Sequence, residues 1–178
     1  MARPAAPVHV CSLEIMPQLV VETGARHLIT VINQMSIPPT PAVVPPERHL
    51  RLAMNDITMP QDGLVHPNND HIEALIAFAR AWDRQGPLVV HCWAGISRST
   101  AAAFIALCAL NQPGTERRYA QALRAASPTA TPNALMVELA DNALGANGRM
   151  IAAIEEIGVG AMAMAGTPFV LPSRLSPV

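Results

Sequence analysis

The sequence predicts a single domain of the α/β class. Its 178 residues are enough for one domain with a sizeable core, and we find no internal repeat in them. Short apolar stretches typical of strands largely alternate with amphipathic or apolar stretches typical of helices. Gly and Pro residues separate many of these stretches, as expected for elements that are joined by turns.

The first half of the chain predicts three strands and one helix. Residues 8–13 and 27–31 are apolar runs that predict strands, and residues 16–23 between them predict a short helix. Residues 49–54 alternate in polarity and predict the third strand. Residues 34–47 contain five prolines, which exclude regular structure and predict a stiff, exposed loop. We interpret this loop as the wall of a pocket, and a proline-rich ligand for a partner protein is the alternative.

The second half predicts one strand and several helices. Residues 70–85 predict an amphipathic helix with a capping-box-like start at Asp70 and Glu73. The next predicted elements are a buried strand and four helices, at residues 87–90, 100–110, 115–126, 133–144 and 149–157. Residues 159–178 carry a single charge and predict an extended tail that lies on the domain or is partly disordered. The predicted division is therefore a domain at residues 1–158 and a tail at residues 159–178.

Composition and charge argue against several functions. The net charge is −1 with both signs spread along the chain, so we expect neither nucleic-acid binding nor binding to an anionic membrane. Residues 1–7 do not open a secretory signal, and no segment predicts a membrane span. Three cysteines without paired spacing fit a reducing compartment, which we expect to be the cytoplasm. The basic residues are all arginine, and Ala and Pro are abundant, which is typical of a GC-rich bacterial genome. The oligomeric state is not predicted.

Residues 88–99, with the sequence LVVHCWAGISRS, carry the strongest functional signal. A buried strand here leads through a short loop into a buried helix. Such a loop directs its backbone N–H groups toward one point, where the helix dipole adds positive potential and an anion binds. The predicted anion-binding residues are those of the loop: Trp93, Ala94, Gly95, Ile96, Ser97 and Arg98.

Cys92 is the predicted nucleophile at the start of this loop. The ring of N–H donors stabilises a thiolate, which is the reactive form of cysteine. Arg98 lies six positions later and can bind two oxygens of the same anion with its planar guanidinium. Gly95 allows the backbone to turn inward without a side chain. Ser99 can donate a hydrogen bond to the sulfur as a leaving group, and His91 can order the loop from behind.

This spacing is specific to one of the three cysteines. A Gly at +3, an Arg at +6 and a Ser or Thr at +7 occur together at about one in a thousand in a random chain of this composition. Cys11 has Pro17 at +6 and Cys108 has Gly114, so neither fits. A buried thiol without chemistry is the alternative interpretation of Cys92.

The residues HCWAGISRST resemble the signature of the cysteine-dependent protein tyrosine phosphatase superfamily. The stretch HLITVIN at residues 27–33, the pair Asn55-Asp56 and the pair Pro132-Asn133 are similar to its compact dual-specificity branch. The resemblance covers roughly residues 8–144. It implies a central, mostly parallel sheet of about four to five strands flanked by helices, with a Cys-x5-Arg phosphate-binding loop (P-loop). It also implies phosphomonoester hydrolysis through a phosphocysteine intermediate, without metal or cofactor.

The resemblance further implies that a loop aspartate protonates the leaving oxygen and that Asn133 bonds the phosphate-loop backbone through its side chain. Asp56 follows the third predicted strand, and loops after the carboxyl ends of parallel strands meet at one edge of a sheet. We therefore favour Asp56 as the general acid. Asp62 is the alternative, although the pair Asp62-Gly63 is typical of a turn. Asn133 has a second interpretation as the cap of the helix that follows it.

Other functions stay open from the sequence. One is a binding module of the same fold that holds a phosphorylated partner without hydrolysing it. A rhodanese-like sulfurtransferase also uses a loop cysteine, but its chemistry does not require an arginine at +6. The predicted substrate is a phosphorylated protein, through phosphotyrosine or with dual specificity, or a small phosphomonoester. The loop residues 93–97 contain no Lys or Arg, which argues mildly against a polyphosphorylated inositol.

Overall fold

The computed structural model describes residues 5–176 and contains one five-stranded sheet. Six α-helices surround the sheet. In chain order the elements are β1 (Val8–Ser12), α1 (Met16–Thr23), β2 (His27–Ile32), β3 (His49–Ala53), α2 (Asn69–Ala81), β4 (Leu88–Cys92), α3 (Arg98–Leu110), α4 (Glu116–Ala126), α5 (Ala134–Ala143), α6 (Arg149–Ile157) and β5 (Phe169–Leu171).

The sheet has the strand order β3-β2-β4-β1-β5. Strands β1 to β4 are parallel, and β5 is antiparallel to β1 at one edge. This confirms the predicted central, mostly parallel sheet. The register pairs Ser12 with Cys92 and Thr30 with His91, so the carboxyl ends of β1, β2 and β4 meet at the same edge. Ligands of open α/β sheets bind beyond this edge.

The central strands β1, β2 and β4 are buried on both faces, as parallel strands are in α/β proteins. On one face Cys11, Leu28 and Val89 pack with α1 and with Val44 of the proline-rich segment. On the other face the alternate residues pack against α2 to α6 in the main core. Helix α3 is at the centre of that layer, and every residue from 98 to 107 is buried. This explains why its sequence is apolar on all sides.

Two predicted helices, α2 and α3, have first turns that differ from the prediction. Helix α2 begins after Asn68, whose side chain accepts from the His71 N–H, and the His71 ring accepts from the Asn68 N–H. The cap is therefore this pair and not Asp70 with Glu73. The helix also ends at Ala81, four residues earlier than predicted. Helix α3 begins at Arg98, two residues before its predicted start, so Arg98 and Ser99 belong to its first turn.

The proline-rich residues 34–47 and the predicted tail contain more structure than the sequence suggested. Short 3-10 turns occur at Gln34–Ser36 and Pro46–Arg48, and the side chain of Val44 is buried. In the tail, β5 extends the sheet, with only Val170 of its three residues pointing to solvent. Three residues are too few for an alternating pattern to be recognised.

Two predictions concern terminal residues that the structure does not describe. Residues 1–4 belong to the segment in which no secretory signal is predicted, and residues 177–178 belong to the predicted tail. Among residues 5–176, none of the helices combines the length and the apolar character that a membrane crossing requires.

Candidate active site

Residues 92–98, for which we use the name phosphate loop after the sequence prediction, connect the end of β4 to the start of α3. Cys92 is the last residue of the strand, and its side chain is buried at the mouth of the helix. The free N–H groups of the first helical turn and the helix dipole therefore face the same point as the Cys92 sulfur. The strand, loop and helix follow one another as the sequence predicted, and the binding of an anion at this point stays a prediction.

The sulfur of Cys92 has two polar neighbours. Its Sγ atom lies 3.1 Å from Ser99 Oγ, and the Gly95 N–H donates to it at 3.3 Å. A hydroxyl and an amide at these positions stabilise negative charge on the sulfur, whether it is an attacking thiolate or a leaving group. Ser99 is fully buried, so its hydroxyl is held in place by packing.

Gly95 is the residue that lets the loop close over Cys92. Its φ of +72° lies in the left-handed region, and an added Cβ would lie 2.8 Å from the Cys11 carbonyl carbon and 2.9 Å from the Ser12 nitrogen. Both atoms belong to the backbone of β1 and cannot move aside. The loop can therefore sit this close to the sheet edge only with glycine at this position.

Arg98 is buried beneath the loop with part of its guanidinium unsatisfied. Its Nη1 donates to the Met54 carbonyl at 2.8 Å, and the residue is only 6% exposed. Within residues 5–176 its buried Nε finds no hydrogen-bond partner, and the nearest carboxylate atom, Asp56 Oδ2, is 4.0 Å away. A buried charged donor without an acceptor is costly. An oxyanion in the loop would supply the missing acceptor.

Asp56 lies at the opening of the loop and is fixed by two donors. Ser97 Oγ donates to Asp56 Oδ1 at 2.7 Å, and Asn133 Nδ2 donates to the same oxygen at 2.9 Å. The side chain of Asp56 is 38% exposed, so its carboxyl group is available to a ligand. The structure therefore brings Asp56, Ser97 and Arg98 together at one opening.

Asn133 has the second of its two predicted roles, the cap of the helix that follows it. Its side chain does not bond the phosphate-loop backbone: Oδ1 caps α5 by accepting from the Met136 N–H at 3.0 Å, and Nδ2 binds Asp56. The contact with the loop comes from the Asn133 backbone N–H, which donates to the Ser97 carbonyl at 3.3 Å. The short asparagine side chain is used by the helix cap, by the Asp56 carboxylate and by the Ile57 carbonyl, to which Nδ2 donates at 3.3 Å.

Asp62 is exposed, and the Leu64 N–H donates to the Gln61 carbonyl across the turn that contains it. Gly63 in this turn has a φ of +75°. Among the described residues, a hydrogen bond from Ser97 joins Asp56 to the phosphate loop, and none joins Asp62 to it. Asp62 has the surroundings of an ordinary turn residue.

A chain of buried hydrogen bonds supports the loop from behind. The His91 Nδ1 donates to the Cys92 carbonyl at 3.3 Å, and the His91 Nε2 accepts from Thr30 Oγ1 at 2.7 Å. Thr30 Oγ1 in turn accepts from His49 Nε2 at 2.8 Å, and His49 Nδ1 accepts from Thr40 Oγ1 at 2.8 Å. The loop-ordering role of His91 was predicted, whereas the part of Thr30 was not. Thr30 could have been recognised as a polar residue inside an otherwise apolar strand.

The imidazoles of His91 and His49 are both neutral at pH 7. Burial lowers the pKa of His91 to about 4. Burial also lowers the pKa of His49 to about 4, and Arg51 and His91 add a smaller effect in the same direction. With one protonated nitrogen on each neutral ring, and with the Cys92 carbonyl able only to accept, the directions of the four hydrogen bonds follow.

The other two cysteines have surroundings that favour the thiol. Burial, and to a smaller extent the neighbouring Cys92, raises the pKa of Cys11 to about 12. Burial also raises the pKa of Cys108. Within residues 5–176 no group of three His, Cys, Asp or Glu side chains is placed to hold a metal ion.

Comparison with known proteins identifies the fold. The sequence model of the protein-tyrosine phosphatase family, "Protein-tyrosine phosphatase", matches residues 56–126, which include Asp56 and the phosphate loop. No curated protein matches the chain significantly.

Three solved structures illustrate the structural match. DUSP15 superposes with a TM-score of 0.61 at 19% identity, over 88% of this chain and 92% of that chain. Human DUSP28 gives 0.60 at 22% identity, over 81% and 98%. The Cydia pomonella PTP-2 phosphatase gives 0.59 at 20% identity, over 78% and 89%. The chain therefore has the α/β fold of dual-specificity phosphatases, and its central segment matches the protein-tyrosine phosphatase family.

Proposed function

We propose that this protein is a cysteine-dependent phosphatase that hydrolyses phosphomonoesters on proteins, of the tyrosine or dual-specificity type. The observation that carries the proposal is the buried Arg98 Nε, which has no partner within residues 5–176 and lies in the loop that holds the Cys92 sulfur. A tetrahedral dianion bound in the loop would satisfy this donor and place its phosphorus next to the sulfur. The family match over residues 56–126 supports the same reaction.

The first step transfers the phosphoryl group to the protein. The Cys92 thiolate attacks phosphorus, an S–P bond forms, and the bond between phosphorus and the leaving oxygen breaks. Arg98 and the loop N–H groups hold the three remaining oxygens. Asp56, in its protonated form, gives its proton to the leaving oxygen. Ser97 and Asn133 donate to Oδ1 of Asp56, so Oδ2 is the oxygen that carries and transfers the proton.

The second step releases phosphate. Asp56, now a carboxylate, takes a proton from a water molecule that attacks phosphorus, and the S–P bond breaks. The electron pair returns to the Cys92 sulfur, where the Ser99 hydroxyl and the Gly95 N–H stabilise it. Inorganic phosphate leaves, and the thiolate is restored. Neither step needs an electron donor or acceptor, and positioning and electrostatics supply the catalysis.

A binding module that holds a phosphorylated partner is the second candidate. Cys92, Arg98 and the loop N–H groups would serve it equally well. The fixed position of Asp56 at the opening favours hydrolysis, because a module that only binds a dianion gains nothing from a carboxylate beside it. A sulfurtransferase does not require Arg98 or Asp56.

We also propose the cellular compartment in which the protein works. The Cys92 thiol must stay reduced to act, so we place the protein in a reducing compartment such as the cytoplasm, and we keep the bacterial origin that its composition suggests as a hypothesis. The proposed substrates are phosphorylated proteins that carry phosphotyrosine, or both phosphotyrosine and phosphoserine or phosphothreonine.

The direct test replaces the nucleophile. We expect Cys92→Ser to abolish the hydrolysis of an aryl phosphate while tungstate still binds, because Arg98 and the loop N–H groups remain. Cys108→Ser is the matched control: it makes the same change ten or more residues from the loop and should keep wild-type turnover. Near wild-type turnover by Cys92→Ser would exclude Cys92 as the nucleophile. Loss of tungstate binding would show that the loop is not an oxyanion site.

A further inference from the structure

A groove opens beside the phosphate loop and is not used by the proposed reaction. Its volume is about 340 Å³, and it is lined by Leu13, Glu14, Trp93, Ala94, Met164 and neighbouring residues. One wall follows directly after the end of β1, and the other is the C-terminal strap, residues 159–168. Because Trp93 is the residue after Cys92, the groove begins one residue from the proposed nucleophile.

Both walls are tied to the phosphate loop through its backbone. On the β1 side the Leu13 N–H donates to the Trp93 carbonyl at 3.1 Å, and on the strap side the Gly166 N–H donates to the Ala94 carbonyl at 2.8 Å. A Cβ on Gly166 would lie 2.9 Å from the Gly95 carbonyl oxygen, so the strap approaches the loop as closely as only glycine permits. The groove is therefore built onto the same loop that would bind phosphate.

The strap is also anchored away from the loop. The Ala161 N–H donates to the Pro128 carbonyl at 2.9 Å, and the Gly160 N–H donates to Thr131 Oγ1 at 3.0 Å. Arg124 Nη2 donates to the Gly158 carbonyl at 2.8 Å. With anchors on both sides of residues 162–165, the side chain of Met164 is presented at the groove without being packed into the core.

The chemistry of the groove is apolar with one negative charge. Trp93 is 58% exposed and Met164 is 96% exposed, although large apolar side chains are usually buried. Clustered exposed apolar groups mark interaction sites, and methionine adapts to partners of different shape. Glu14 is the charged residue in the lining, and it would repel an acidic ligand.

We infer that this groove is a specificity subsite that takes a large apolar side chain of the phosphorylated protein, within two residues of the phosphorylated residue. The inference rests on the proposed function, because the phosphate in the loop fixes the register of the substrate. Successive Cα atoms are about 3.8 Å apart, so a groove that begins one residue from Cys92 is reached by the nearest neighbours of the phosphorylated residue. Its volume is at the small end of the range of about 300–1,000 Å³ for ligand pockets, which suits one side chain.

The test uses phosphopeptides that are identical except for the two residues on either side of the phosphorylated residue. These two flanking residues are both Leu, both Ala or both Glu. Phosphotyrosine and phosphothreonine sets are both measured by phosphate release, so that the preference for the phosphorylated residue does not decide the outcome. With wild-type protein we expect kcat/KM to be about tenfold higher for the Leu peptide than for the Ala peptide, and lowest for the Glu peptide. We expect Met164→Glu to remove the Leu preference.

Met162→Glu is the matched control. Met162 is as exposed as Met164 and lies in the same strap, but it is not part of the groove lining. It should keep the wild-type ratio between the Leu and Ala peptides. Equal kcat/KM for these two peptides with the wild-type protein, or a Leu preference that Met164→Glu does not change, would overturn the subsite while leaving the phosphatase proposal intact.

Absence of hydrolysis with every peptide would contradict the proposed function but not decide the subsite. In that case the same peptides are titrated against the wild-type protein by fluorescence anisotropy. Tighter binding of the Leu peptide that is lost in Met164→Glu would support the subsite on a binding module. Equal binding of the Leu and Ala peptides, or no binding of either, would overturn it.

Discussion

Acidification is expected to destabilise the protein through the two buried imidazoles behind the phosphate loop. His91 and His49 each have a pKa of about 4 in the folded protein and an ordinary value of 6.5. The folded state therefore binds fewer protons than the unfolded state between these values. The stability that this difference contributes is complete above pH 6.5 and is lost as the pH falls from 6.5 through 4.

The size of the effect follows from the two pKa values. Each factor of ten in proton affinity corresponds to about 1.4 kcal/mol, so each imidazole accounts for about 3 kcal/mol over the whole range. Between pH 7 and pH 5 the loss is about 2 kcal/mol for each imidazole. Both rings bond Thr30 Oγ1, so their contributions are coupled and do not simply add. We expect a total loss of about 2 to 4 kcal/mol from this pair.

The assay is urea unfolding at pH 7 and at pH 5 for the wild type, His49→Gln and His66→Gln. His49→Gln removes one of the two coupled imidazoles and should reduce the difference in stability between the two pH values by up to about 2 kcal/mol, although it also lowers stability at pH 7. His66→Gln makes the same substitution at a histidine that does not bond Thr30 and is the control for the substitution itself. Equal wild-type stability at both pH values, or the same difference in His49→Gln as in the wild type, would refute the reasoning.

Two further predictions concern single residues of the site. Asp56→Asn should lower kcat for phenyl phosphate by about 10² to 10⁴ and affect p-nitrophenyl phosphate much less, because the more acidic leaving group departs without a proton; if Asp62→Asn behaves this way instead, Asp56 is not the acid. Gly95→Ala should lower the free energy of unfolding by more than Gly63→Ala, because both positions have a positive φ but only at position 95 would the added Cβ lie within 3 Å of backbone atoms. Equal thermal shifts for the two variants would show that the close approach to β1 costs nothing.

The parts of the site that follow one another in sequence could be predicted. The strand, loop and helix around Cys92 are contiguous, and the chemistry of the loop depends on spacing within ten residues. Asp56 could be placed nearby because parallel strands bring their carboxyl ends to one edge. The exact partners of Asn133 could not be predicted, since one amide side chain can cap a helix, bind a carboxylate or bind a backbone group.

The supports that come from distant segments could not be predicted. The Met54 carbonyl that holds Arg98 is a backbone atom and leaves no residue-specific signal. Gly166 meets the loop through a backbone hydrogen bond from a segment without periodicity, so the strap could only be described as a tail. The chain of hydrogen bonds through Thr30 and His49 depends on strand pairing and register, which a local sequence pattern does not specify.

The central claim is that the Cys92 sulfur carries a phosphoryl group during turnover. The most direct measurement mixes wild-type protein with an activated aryl phosphate, which forms the intermediate faster than water removes it, quenches with denaturant and locates the modification by peptide mass spectrometry. The account predicts one phosphoryl group on the peptide that contains Cys92 and none on the peptides that contain Cys11 or Cys108. Phosphate release with no phosphoryl group on Cys92 at any quench time would contradict it.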